Sequence, residues 1–360
     1  MLLELLSITI SMNKQVNSQS AHSNACKLKS SRPQSGPETM TSTSAKKQSG
    51  ETIQEQNTKY RQHPDQKIGR PELEPEKISR PDAIAEELMK PARWVLMTEI
   101  KTFGCHRKTF QQVDEVEAFS NNEIVVLDDK HKELITFLLD RTCQSTVHSR
   151  DLQLKGLLVP SHVAVNKGDQ LIILDCPTVK IFNRGYQSCL HQFNPGRYTQ
   201  GKPSCLAVDD SNRIAVGFEE AEKISLHEQD GSLIRQIPAP MISRNMTIYK
   251  QKIIYTSFKR RKLLSVDFNG RTVFKVDVPD RSGTEAGPNG LCCDSKGNIY
   301  VTNTMLELKQ GDILQFSPDG KYIGCAVKKC GLPADVTITP SGEMVIAAVH
   351  SVEVYQCHWV

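Results

Sequence analysis

Tryptophan occurs only twice in this 360-residue chain, and all aromatic residues together make up 6% of it. No run approaches the roughly 18 uninterrupted apolar residues that a membrane-spanning helix needs, so no membrane role is expected. No Cys-x-x-Cys pair occurs among the 11 cysteines, which excludes a zinc finger or RING. Their odd number and scatter also argue against a secreted disulfide framework. They are expected to be free, buried thiols in a reducing compartment. Charge of one sign is lacking too: 45 Lys and Arg against 41 Asp and Glu leave +4, which neither demands nor forbids a nucleic-acid partner. The start, MLLELLSITISM, has no basic n-region and carries Glu4 where a secretory signal should be apolar. The expected location is cytoplasmic.

Residues 1–91 differ in character from the rest. The first 90 hold a single aromatic, Tyr60, and are dense in Ser, Thr, Gln, Lys, Glu and Pro. Such a composition buries too little apolar surface to offset chain entropy, and it predicts a disordered tail. Within it, RPDAIAEELMK (80–90) has Pro81 at an N-terminal position and good helix formers behind it, predicting a short helix that Pro91 stops.

From residue 92 onward, short β-branched and aromatic runs alternate with Gly, Pro, Asn and Asp turns. The runs NEIVVLD, DQLIILD, NRIAVGF, QKIIYTS, GNIYVTN and GEMVIAA align on Ile124, Leu171, Ile214, Ile253, Ile299 and Met344, spaced by 47, 43, 39, 46 and 45 residues. Each is preceded by one strand-like run and followed by another, and the inner repeats show a fourth. Six units of four short strands predict an all-β, six-bladed β-propeller over 92–360. The sixth unit ends after its third strand. ARWVLMTEIKTFG (92–104) is expected to supply the missing one and close the ring, with Trp94 and Trp359 packing at the latch.

Unit five, GPNGLCCDSKGNIYVTNTMLELKQGDILQFSPDGKYIGCAV, resembles an NHL repeat: a Pro-x-Gly strand, Asp-x-x-Gly-Asn, an Ile-Tyr-Val strand and an Asp-Gly hairpin. The whole propeller resembles the C-terminal domain of TRIM-NHL (tripartite-motif) proteins. The likeness stops there, because residues 1–90 hold one cysteine, Cys26, and two histidines, His22 and His63, from which no RING or B-box can be built. The resemblance therefore implies a recognition module without the ligase.

Propellers present residues of each innermost strand around a central channel. The residues before the inner apolar anchors are Glu115, His162, Cys205, Asn245, Gly290 and Asp335, with Asn289 one step earlier. Glu115, His162, Cys205, Asn245, Asn289 and Asp335 are the candidate binding residues at the channel mouth. Carboxylate and amide oxygens in such a ring suit calcium, which could polarise an ester and activate water. Pro288-Asn289-Gly290 is similar to a motif of gluconolactonase-like propellers. That family also carries Pro-Asp-Gly and Glu-Gly-Pro; here Leu332-Pro333-Ala334-Asp335 places the carboxylate one residue late, and Glu-Gly-Pro is absent. Asn289 and Gly290 are read instead as shaping a close backbone approach. Lys259, Arg260, Arg261 and Lys262 form a basic turn that offers phosphate contacts to an RNA. The primary reading is a non-enzymatic module, without cofactor, that binds a protein partner. An RNA-binding propeller and a calcium-dependent hydrolase are the alternatives.

Overall fold

The second strand of every blade is apolar almost throughout, because it is sandwiched between two neighbouring blades and both faces must be covered. In the computed structural model, which describes residues 93–103, 108–138, 149–152, 157–184, 188–279 and 286–358, these strands are buried along nearly their whole length. Alternation then distributes the side chains. Ile124 and Val126 enter the cluster shared with blade 6, while Val125 and Leu127 enter the one shared with blade 2. The core is accordingly six inter-blade clusters, one at each seam around the ring.

Six four-stranded antiparallel sheets make the blades. Their innermost strands are Val113–Ala118, Pro160–Val165, Cys205–Val208, Met246–Tyr249, Ala286–Cys293 and Pro333–Ile338. Blade 6 takes its outer strand from the start of the domain: Arg93–Ile100 pairs antiparallel with Ser351–His358, from Arg93 opposite His358 to Ile100 opposite Val352. Trp94 packs edge-on against Tyr300 of blade 5, with ring centroids 5.8 Å apart. The latch is shorter than the sequence run implied. It ends at Ile100, and Thr102–Phe103 pairs instead with Lys108–Thr109 in a small hairpin. Burial accounts for the break, since Phe103 and Phe110 leave the sheet to join the blade 1–blade 6 cluster.

The turns between first and second strands reuse one design. The oxygens of Asn166, Asp209 and Asp294 each accept backbone N–H bonds from the residues two and four further on. This is the physical content of the recurring polar turn in unit five. Blade 4 departs from it with a two-residue turn in which Lys250 and Gln251 both have positive φ.

The chain divides into two units, 1–80 and 81–360, and every described residue lies in the second. The tail, its helix at 80–90, Cys26, Cys105, Cys143, His106, His148 and Trp359 lie outside the described residues. Among the described residues, no helix is long and apolar enough to cross a membrane.

Candidate functional site at the channel mouth

A meandering blade puts the turns between second and third strands on the same face as the connections into the innermost strands. All the candidate mouth residues therefore belong to one face, together with the Lys259–Lys262 turn. Five of the six stations are also equivalent in register, while in blade 5 Asn289 and Gly290 lie within the bulge. Glu115, His162, Cys205 and Asp335 lie opposite Leu127, Leu174, Gly217 and Ala347, each three residues after its blade's anchor. Asn245 accepts at its carbonyl from Thr256 N–H, the equivalent position of blade 4. In blades 1, 2, 5 and 6 the innermost strand bulges at this level, with shifts at Val113/Glu115, Pro160/His162, Pro288/Leu291 and Pro333/Asp335. A bulge adds a residue without a ladder partner and re-aims its neighbours.

The side chains at these stations are mostly engaged by nearby backbone and side-chain groups. His162 Nε2 donates to the Arg244 carbonyl at 2.7 Å, which fixes the proton on Nε2 and leaves Nδ1 to accept from Ser161 Oγ at 3.3 Å. Asn245 Nδ2 donates to Asn289 Oδ1 at 3.0 Å, and Thr256 Oγ1 donates to the Asn289 carbonyl at 2.8 Å. Val116 N–H donates to Asp335 Oδ2 at 3.2 Å, joining blade 1 to blade 6. Glu115 Oε1 lies 3.5 Å from His162 Nε2. Burial lowers His162 to about 4, and burial together with nearby Asp335, Asp114 and Glu117 raises Glu115 well above the carboxylate range. Their contact is thus between a neutral imidazole and an acid that favours its protonated form.

Two further carboxyls face this region that sequence reasoning did not single out, Asp114 and Glu117. Burial pushes both up to about 7, and Asp335 up to about 8. Glu117 was findable, since it lies two residues beyond Glu115 and alternation returns it to the channel side. Asp114 was not, because it sits at the bulge between Val113 and Glu115, where alternation breaks. Cys205 is fully buried, with its thiol pushed up to about 12 and Ser204 Oγ 3.9 Å from its sulfur. The hydrogen bonds of His162 go to Arg244 and Ser161 rather than to Cys205. The channel itself encloses about 60 Å³, lined by Glu115, Glu117, Asn245, Leu291 and Asp335 among others. Small-molecule sites usually offer roughly 300–1,000 Å³.

Gly290 explains the Pro-Asn-Gly motif. A Cβ there would fall 2.6 Å from the Ala334 carbonyl oxygen and nearer still to Asp335. The motif lets blades 5 and 6 touch backbone to backbone. Among the described residues, no group of three or more His, Cys, Asp or Glu is placed to share a metal ion. In the basic turn, Lys259 and Arg260 are exposed, whereas Arg261 takes the positive-φ position and Lys262 pairs with Asp277 at 2.5 Å. His131 contacts Asp128, His191 the Asp230 carbonyl, and His227 Ser225 and the Gly231 carbonyl.

No family model and no curated protein matches this sequence. Solved structures do. A gluconolactonase from Xanthomonas campestris superposes with TM-score 0.56 at 13% identity, covering 76% of this chain and 92% of that one. The WD40 β-propeller domain of Doa1 gives 0.53 at 12%, covering 74% and 97%. A streptogramin B lyase gives 0.51 at 8%, covering 74% and 98%. At such identities the likeness is one of fold. Lyase, gluconolactonase and WD40 domain share the architecture, and the residues at the site must discriminate among them.

Proposed function

We propose that this propeller is a non-enzymatic interaction module that binds a protein partner through the loops of its channel-mouth face. The observation that carries the reading is the internal saturation of the mouth. His162 bonds the Arg244 carbonyl at the entry to blade 4, Asn245 and Asn289 bond each other, and Asp335 accepts from Val116, while the channel behind them holds about 60 Å³. Rigid blades presenting variable loops suit recognition. The NHL-like unit five supports kinship with the TRIM-NHL propellers. Leu158 before the second blade, at 78% exposure, and Leu308 in the second turn of blade 5, at 49%, are apolar contacts on that face.

The test is retention of a partner by the immobilised full chain, followed by face-selective substitution. Leu158→Glu with Leu308→Glu should abolish retention, while Asp210→Ala on the opposite face should leave it intact. Loss with Asp210→Ala alone, or indifference to both changes, would reject the assignment. Salt-sensitive retention of RNA that disappears with Lys259→Glu and Arg260→Glu would replace protein by RNA as the ligand.

A further inference from the structure

One residue before each channel station the chain carries a second ring: Asp114, Ser161, Ser204, Arg244, Asn289 and Ala334. The ladder to the second strand skips Asp114, Ser161 and Ala334, which are the extra residues of their bulges. Arg244 is skipped likewise, since Ser243 N–H donates to the Thr256 carbonyl while Thr256 N–H donates to the Asn245 carbonyl. Four of the other side chains are engaged close by. Asp114 accepts from Gln112, Ser161 Oγ meets His162 Nδ1, Ser204 Oγ donates to the Ser243 carbonyl, and Asn289 accepts from Asn245. Ala334 has no polar side-chain atom.

Arg244 is the exception. Its backbone is held from three other blades. Ser204 of blade 3 bonds the preceding carbonyl at 3.1 Å, His162 of blade 2 bonds its own carbonyl at 2.7 Å, and Asn289 of blade 5 bonds the following side chain at 3.0 Å. The side chain is exposed, and among the described residues it makes no hydrogen bond or ion pair. Its cation opposes the upward push on Asp114 of blade 1 and adds to the downward push on His162 of blade 2. The seams join the blades in chain order, so blade 1 lies opposite blade 4 and the guanidinium overlooks the channel rather than the perimeter. With the backbone already fixed, only the side chain remains to be ordered on binding.

A guanidinium presents paired N–H donors that match a carboxylate. The carboxyls in the channel leave that position open, because burial holds Glu115, Glu117 and Asp335 toward their protonated forms. A run of phosphates fits less well. The acidic turn Glu219, Glu220 and Glu222 of blade 3 stands beside the basic turn of blade 4, with Glu219 3.8 Å from Lys259. One cation behind a line of carboxylates suits a single anionic side chain, whereas a nucleic-acid backbone needs several cations together. We propose that Arg244 is the anchor of the channel-mouth face, and that the protein partner places the carboxylate of an Asp or Glu side chain against it. This rests on the protein-binding reading above and names the chemistry of the segment that is bound.

Fluorescence anisotropy of the full chain with two labelled peptides, both acetylated and amidated, tests this. One peptide has four Gly-Glu repeats and the other four Gly-Gln repeats. The Glu peptide should bind, and the Gln peptide should bind about tenfold or more weakly. Arg244→Gln should weaken the Glu peptide by a similar factor, about tenfold, the size of a lost charge-assisted hydrogen bond. Its carbonyl, not its side chain, meets His162, so the variant keeps the backbone in place, and an unchanged thermal melt confirms this. Lys309→Gln removes an exposed cation from the second turn of blade 5 on the same face and should leave binding unchanged. Absence of binding to the Glu peptide would overturn the proposal. So would equal affinity for the two peptides, an Arg244→Gln protein that keeps its affinity, or an equal loss with Lys309→Gln. An oligouridylate bound more tightly than the Glu peptide, and lost with Lys259→Glu and Arg260→Glu, would replace carboxylate by phosphate. A partner retained through Leu158 and Leu308 yet indifferent to Arg244→Gln would reject the anchor and leave the interaction module standing.

Discussion

A methyl group at position 290 would press on the Ala334 carbonyl and the Asp335 backbone, neither of which can rotate aside. Gly290→Ala should therefore force blades 5 and 6 apart and cost about 1–3 kcal/mol, the usual range for overpacking a close contact. Chemical denaturation of the two proteins checks this. A change below about half a kcal/mol would mean that the seam accommodates the group. Neighbouring Asn289 acts through hydrogen bonds instead, accepting from Asn245 on its side chain and from Thr256 on its carbonyl. Asn289→Ala removes the first and keeps the second, so a loss of about 1 kcal/mol is expected. Pro-Asn-Gly was visible in the sequence as a motif. Its use became visible only when Asp335, 45 residues later, was found against it.

The seam between blades 1 and 6 joins the two ends of the domain, and two features hold it. One is the latch strand, which brings Ile100 into the shared cluster. Deleting residues 1–103 should leave Ser351–His358 as an open edge and replace the cooperative melt by a broad, low-temperature transition. A sharp, unshifted melt would mean that the ring closes without its latch. The other feature is the carboxyl set, with Asp335 bonded to Val116 N–H and Thr337 Oγ1 3.5 Å from Glu117. The pH dependence follows from the raised groups. Asp114, Glu117 and Asp335 bind protons more tightly folded than unfolded, so their contribution is complete below about pH 4 and is lost as pH rises through about 7 to 8. His162, lowered to about 4, works the other way, and its contribution grows between about 4 and 6.5. Above pH 6.5 only the carboxyls titrate. Stability should fall between pH 6.5 and 8.5, and Asp335→Asn, whose amide oxygen can still accept from Val116, should flatten that fall. Parallel pH profiles of the two proteins would contradict the assignment.

For the whole molecule, the decisive comparison is a thermal melt of the full chain with calcium and with excess chelator. Asn289 and Asp335 already direct their oxygens at Asn245 and Val116, so the melting temperature should not respond to either addition. A rise of several degrees with calcium, lost in Asp335→Asn, would show that these oxygens turn into the channel to hold the ion, since a ligand of the folded state alone must stabilise it. The mouth face would then need to be reconsidered as a hydrolytic site.

The sequence by itself determined the architecture. Six apolar anchors spaced 39–47 residues apart can be buried on both faces only if each blade lies between two others, and a sixth unit lacking an outer strand can be completed only from the other end of the domain. It also placed five of the six channel stations in one register, because strand alternation is a local property. The tertiary structure decided what those stations do. Whether His162 is a base or a donor depends on the Arg244 carbonyl, 82 residues away, and whether Asp335 is a ligand or a staple depends on Val116, 219 residues away. The bulge at Val113/Glu115 is announced by no spacing, and the breadth of the channel depends on how six blades close. Hydrogen-bond partners and burial are set by packing between distant segments, and they, rather than residue type, fix the protonation and availability of each group.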